Sequence, residues 1–144
     1  MEKSDTKELL RECNAGIKMG VDAIDGVLPT VKSENLRRVL KESKNVHSHL
    51  GSEAHRLLNV RGVSGKAPHP VARSMSRMKT NMKLTFSPTD RAVAELITDG
   101  CNMGVKSLSH YLNCHPSAVS EAKNIADNLI REELNLAEQM RRYL

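Results

Sequence analysis

Residues 13–28, CNAGIKMGVDAIDGVL, and residues 101–112, CNMGVKSLSHYL, say nearly the same thing. Met19-Gly20-Val21 and Leu28 of the first return 84 positions later as Met103-Gly104-Val105 and Leu112 of the second. Each stretch is followed by one further long segment with helical spacing, so the unit that repeats is a hairpin of two helices. Two such hairpins make a four-helix bundle, and bundles of this kind often hold metal between their helices. Whether metal belongs here is the main functional question the sequence raises.

The composition fits that architecture. A chain of 144 residues makes one domain (1–144) with a core large enough to need no staples. Aromatic residues supply 2% of the chain and tryptophan is absent, so the core is built from Leu, Ile, Val, Ala and Met, which suits helix packing better than a β-sandwich. The first residues, MEKSDTKELLREC, are charged throughout and lack the apolar run of a signal peptide. No stretch approaches the length of a membrane span, and a cytoplasmic protein that does not engage the membrane is expected. Cys13, Cys101 and Cys114 are an odd number without tight pairing, and reduced thiols are the commoner reading over disulfides or metal ligation.

Periodicity places the helices. The first runs from about Thr6 to Leu28, with Leu10, Cys13, Ile17, Gly20, Ile24 and Val27 at intervals of three and four. Pro29 and Thr30 break it and Ser33 caps the second, whose inner face carries Leu36, Val39, Leu40, Ser43, His47, Leu50, Ala54 and Leu57. Gly62 and Gly65, with Pro68 and Pro70 behind them, end that helix. A short amphipathic helix is predicted from Val71 to Leu84, with Met75, Met78 and Met82 opposite Arg73, Arg77, Lys79 and Lys83. Ser87-Pro88-Thr89-Asp90 starts the third long helix, with Val93, Leu96, Ile97, Gly100, Gly104, Leu108 and Tyr111 on one side. After the turn at His115-Pro116-Ser117, the fourth turns Ala122, Ile125, Ala126, Leu129, Glu133, Leu136, Met140 and Tyr143 inward. The second helices of the hairpins superpose best at an offset of 86, which sets His47 on Glu133. These are the clearest polar interruptions of the two inner stripes. Burying both is costly unless each finds a partner, and the obvious partner is the other or a shared ion.

The two similar hairpins, joined by a long crossover with its own short basic helix, SMSRMKTNMKL, resemble the ferritin-like superfamily over essentially the whole chain. Small, mostly uncharacterised bacterial four-helix-bundle proteins of that superfamily share the layout. The resemblance implies an all-α, antiparallel ferritin-like four-helix bundle of two repeated helical hairpins, with a short extra helix in the crossover. Hairpin one spans about 6–60, the crossover about 61–88 and hairpin two about 89–144. It also implies a test, because di-metal members hold iron or manganese with an inward Glu on each of two helices and a Glu-x-x-His on each of the other two. The sequence departs from that pattern: no Glu-x-x-His occurs, and Gly16, Gly20, Gly100 and Gly104 stand where helices one and three would offer acids. A complete centre would have to recruit Asp22, Asp25 or Asp99 from the flanks of their stripes.

Three residues could still hold a single transition metal: His47 and Glu53 on helix two with Glu133 on helix four. The blander reading turns His49 and His55 to solvent and leaves His47 alone inward. Gly in a helix interior costs about 1 kcal/mol relative to Ala, so the four glycines need compensation; close approach of helices one and three would supply it, and room for a small bound molecule is the alternative. Arg56, Arg61, Lys66, Arg73, Arg77, Lys79 and Lys83 form a basic run with no acid between Ala54 and Thr89. Some ferritin relatives bind DNA through basic extensions, yet no aromatics are interleaved for base stacking, and a solvated basic face is the commoner explanation. The Met face is read as a lid on the core, with a second copy of the chain, and hence a homodimer, as a reasonable other occupant. No nucleophile–base pair, phosphate loop or Cys-x-x-Cys element supports a hydrolase, kinase or thiol-redox enzyme. The expected function is therefore binding or assembly around a degenerate metal centre, with no cofactor favoured. An iron- or manganese-binding protein with unusual ligands is the first alternative and a nucleic-acid-associated protein the second.

Overall fold

The structure, a computed structural model, describes residues 1–62 and 89–144. They form four long helices, α1 (Glu2–Val27), α2 (Glu34–Val60), α3 (Asp90–Cys114) and α4 (Ser120–Met140), with short 3-10 turns at Leu28–Thr30 and Arg141–Tyr143. The described residues contain no strand and are all-α, as expected. The short helix predicted over 71–84 and its Met75, Met78 and Met82 face lie outside the described residues.

Local chemistry sets the boundaries. The Ser33 hydroxyl accepts a hydrogen bond from the Leu36 amide at 3.2 Å, and the Thr89 hydroxyl accepts one from Ala92 at 3.1 Å, so each helix has an N-cap oxygen on an otherwise unpaired amide. Pro29 sits in the first 3-10 turn, where its missing amide is not needed. Helix α1 starts at Glu2, four residues before the expected Thr6, with Glu2 and Asp5 favouring the positive end of the helix dipole.

Long-range hydrogen bonds orient the helices. Asp5 and Thr6, at the start of α1, accept from the amides of Ser117 and Val119 in the turn before α4, both at 2.9 Å. Asp90, at the start of α3, accepts from Lys32 and Ser33 in the turn before α2, at 2.8 and 3.0 Å. Each hairpin thus ties off the turn of the other. At the same end as Asp90, the Asn35 amide nitrogen donates to the Tyr143 hydroxyl at 2.6 Å. It follows that α1 is antiparallel to α2 and α3 to α4, while α2 and α3 run the same way, so the chain leaves α2 at one end of the bundle and enters α3 at the other. Contacts link α1 to α2, α3 to α4, α2 to α4 and α1 to α3, and α1 also meets α4 across the diagonal.

The inner stripes read from periodicity are the ones buried. On α2 they match residue for residue, with Leu58 added. On α3, Gly100 is exposed and so does not belong to the inner stripe, Cys101 takes an inner position and Leu96 is only partly buried, while on α4 the stripe holds through Met140 and Tyr143 packs at its edge. The apolar core falls into two clusters. One gathers Leu9, Leu10, Ile17, Leu50, Leu57, Leu108 and Leu129, and the other Ile24, Leu36, Leu40, Val93, Ile97, Leu136 and Met140. Between them the inner layer holds Gly20 on α1, Ser43 and His47 on α2, Gly104 on α3 and Glu133 on α4.

Candidate functional site

That middle layer is the site. His47 is 1% exposed and Glu133 9%, and the ring Nε2 lies 2.6 Å from Glu133 Oε1. The other ring nitrogen, Nδ1, lies 2.8 Å from the Ser43 carbonyl oxygen one turn back on α2. A carbonyl has no proton to give, so Nδ1 carries one and donates. The Nε2–Oε1 contact then needs a single shared proton, held by the ring or by the carboxyl. Either way the pair is neutral as a unit, which is how two buried ionisable groups avoid an uncompensated charge.

Electrostatics favours the ring as the holder. Burial alone disfavours a charged imidazole, but the hydrogen bond and charge of Glu133, the Ser43 carbonyl and the charge of Glu132 outweigh it and hold His47 above its usual range. Nε2–H accordingly donates to Glu133. The half-buried Glu132 is raised by desolvation and by its like-charged neighbour Glu133, against hydrogen bonds from Ser43 and Asn135 and the attraction of His47. Burial and the Glu133 carboxylate, to which its thiol donates, also push Cys101 up, and burial beside Glu12 pushes Cys13 up to about 12. Both thiols stay protonated and inert.

The glycines find their compensation here, although not where expected. A Cβ on Gly20 would lie 2.9 Å from His47 Cδ2, and one on Gly104 would lie 3.4 Å from Glu133 Cδ. The room is taken within each hairpin, by the ring of α2 against α1 and the carboxylate of α4 against α3. Close approach of α1 and α3 is therefore not the compensation at these two positions. A Cβ on Gly16 or Gly100 would meet nothing within 4 Å, so these two glycines make no such room.

Of the three candidate metal ligands, the fold brings together His47 and Glu133 and leaves Glu53 apart. Glu53 lies on the outer side of α2, where it pairs with His49 at 3.4 Å, and His55 is exposed nearby. Asp25 is engaged with Lys44 at 2.6 Å, and Asp99 is exposed. Among the described residues no group of three His, Cys, Asp or Glu side chains stands close enough to hold a metal ion. The donor set does not fit a di-metal centre: both nitrogens of the one inward imidazole are already hydrogen-bonded, and Glu132 and Glu133 come from the same helix. Of the basic run, Arg56 is exposed and reaches Glu121 at 3.8 Å, and Arg61 caps the end of α2. Lys66, Arg73, Arg77, Lys79 and Lys83 lie outside the described residues. An open groove of about 880 Å³ runs along the outside of α1 and α2, floored by Ile17, Val21 and Gly51, and does not reach the buried pair.

Sequence reasoning misses the reciprocal role of Asp5 and Asp90. Asp90 reads in the sequence as a complement to a helix dipole, whereas its carboxylate also spans to the other hairpin. The only signal available is an acid in the first turn of each hairpin's first helix. None of the described helices is long and apolar enough to cross a membrane. No family model, curated protein or solved structure matches the chain.

Proposed function

We propose that this is a non-catalytic binding or assembly protein of the cytoplasm, ferritin-like in plan and built from two repeated hairpins, in which a buried imidazole–carboxylate pair occupies the layer where a di-metal protein would carry its ligands. The observation that supports this reading is the mutual satisfaction of His47 and Glu133 at 2.6 Å in a layer whose other two helices contribute Gly20 and Gly104. A buried pair whose remaining hydrogen bonds go to the Ser43 carbonyl and the Cys101 thiol is a structural element of the core; a catalytic acid or base needs an approach for substrate. Metal analysis of the purified protein, with titration by Fe(II) and Mn(II), tests the reading. The expected result is that no bound metal depends on the pair, so that a His47→Ala plus Glu133→Ala variant binds as the parent does. Stoichiometric iron or manganese that disappears in that variant would overturn it in favour of a metalloprotein with unusual ligands.

A further inference from the structure

On the edge of α1 that meets α2, Leu10, Asn14, Ile17 and Val21 recur at intervals of three and four, and Asn14 is the polar break in that row. Asn14 is 4% exposed, and its amide nitrogen Nδ2 is buried with no hydrogen-bond partner among the described residues. A buried donor left unpaired costs its full desolvation, which an apolar residue of the same size would not. The side chain borders the open groove between α1 and α2. Its Cβ–Cγ torsion is broad and roughly twofold, so a half-turn of the amide presents the donor to that groove.

The groove has an apolar floor and a charged end. A Cβ on Gly51 would come 3.2 Å from Ile17 Cγ2, so glycine leaves bare backbone beside Ile17 on the α2 side. Because α1 and α2 are antiparallel, Asn14, three residues before Ile17, comes level with Ala54, three residues after Gly51, in the turn that carries Arg56. Arg56 and Asn59 therefore stand at the Asn14 end, Lys18 lies beside the floor, and Asp22 is at the far end. Hydrogen-bond donors and positive charge gather at one end of a trough floored by Ile17 and Val21. The contact of Arg56 with Glu121, at 3.8 Å and with both side chains more than half exposed, is too weak to hold the guanidinium away from a ligand. The volume of about 880 Å³ falls in the range of about 300–1,000 Å³ typical of small-molecule sites.

We propose that this groove binds a medium-chain aliphatic carboxylate, its chain laid along Ile17 and Val21 and its carboxylate taken by the Asn14 amide and the Arg56 guanidinium. The charges set the direction, with the head at the Arg56 end and the tail running toward Asp22. From Asn14 to Asp22 the helix rises about 12 Å, which is room for a chain of that class. An acceptor entering at the Asn14 end satisfies the donor that the protein leaves unpaired. The proposal gives the binding reading above a ligand and rests on that reading for its purpose alone; metal titration of His47 and Glu133 decides that reading independently.

Calorimetric titration of the full chain with decanoate, kept below its micelle-forming concentration, is expected to saturate at one molecule per chain. Decanol, with the same body and no charge, should bind about tenfold more weakly, and acetate, with the head alone, should not bind. Arg56→Gln should weaken decanoate by about tenfold and leave decanol unchanged. Ser52 is exposed and its hydroxyl bonds the Ser48 carbonyl on its own helix, so Ser52→Trp fills the trough without touching the core and should abolish binding while the helical circular dichroism is kept. Asn14→Leu separates a ligand contact from a packing role: it should melt no lower than the parent and yet bind decanoate about fivefold more weakly. Uptake that does not saturate, decanol bound as tightly as decanoate, or binding that survives Ser52→Trp would overturn the proposal. So would an Asn14→Leu variant that melts lower and binds unchanged.

Discussion

Replacing Gly16, Gly20, Gly100 and Gly104 with alanine, one at a time, separates two kinds of glycine by sign. Alanine in a helix interior is favoured over glycine by about 1 kcal/mol, and Gly16 and Gly100 have open space around the added methyl. Gly16→Ala and Gly100→Ala should therefore stabilise the protein by about 0.5–1 kcal/mol. At Gly20 the same methyl lies 2.9 Å from His47 Cδ2 and 3.0 Å from Nε2, closer than real carbons approach. The ring cannot swing clear cheaply, because it is tied at both nitrogens, to Ser43 at 2.8 Å and to Glu133 at 2.6 Å. Breaking one side of a buried ion pair costs about 3–5 kcal/mol. Offsetting the propensity gain against partial loss of the pair leaves Gly20→Ala destabilised by about 2–4 kcal/mol. Gly104→Ala falls between, since its methyl meets Glu133 at 3.4 Å, the near edge of ordinary contact. Urea unfolding followed by helical circular dichroism reads these differences directly, and a kcal/mol corresponds to about 2–4 °C in melting temperature for a chain near this size. The coupling is diagnostic: in a His47→Ala background, Gly20→Ala should change sign and stabilise by about 1 kcal/mol. Gly20→Ala as stable as Gly16→Ala in the parent protein would refute the claim that the ring is pinned.

Two further outcomes follow from the same geometry. The folded-state pKa of His47 is raised, so its contribution to stability is complete below about pH 6.5, the ordinary imidazole value, and is lost as pH rises through the folded value. The raised Glu132 acts in the same direction from about pH 4.3 upward. Urea midpoints should fall from mildly acidic to alkaline pH, and the part of that fall above pH 6.5 should vanish in His47→Gln; a flat or rising profile contradicts the assignment. Asp90→Ala and Asp5→Ala each remove carboxylate hydrogen bonds to turn amides of the opposite hairpin, and each should cost about 1–2 kcal/mol. Asp25→Ala, which loses only an exposed pair with Lys44, should cost under about 0.5 kcal/mol in the same assay.

What the sequence made legible was whatever repeats along one helix. The α2 stripe from Leu36 to Leu57 could be read because each inner residue is three or four positions from the next, and burial follows that period without help from tertiary detail. His47 and Glu133 could be paired because they are the clearest polar breaks in two stripes that superpose at a fixed offset. Glu53 could not be placed by the same logic. It lies six positions from His47, which in a helix turns it well away from the inward direction, and it pairs with His49 instead. The role of Gly20 needed knowledge of which side chain lies opposite it, a matter of register between helices. The Asp5 and Asp90 contacts were out of reach for the same reason, since their partners are more than 50 residues away in the chain.

The buried pair is better understood as a register key than as a source of stability. Removing two ionisable groups from water is expensive, and well-packed apolar side chains of similar size often do as well or better. Leu, Ile and Ala stripes are, however, interchangeable from turn to turn, and with aromatics at 2% this core has few large shapes to distinguish one helix offset from the next. Sliding α4 along α2 by one turn, about 5.4 Å, would leave apolar contacts in plenty. A slip toward Leu50 would also strand the Glu133 carboxylate against leucine and leave His47 Nε2 without a partner, a penalty that apolar mismatch does not impose. The ring fits against Gly20 and the carboxylate against Gly104, so each key is also confined within its own hairpin. Asp5 and Asp90 then fix the two ends of the bundle that the central pair fixes in the middle.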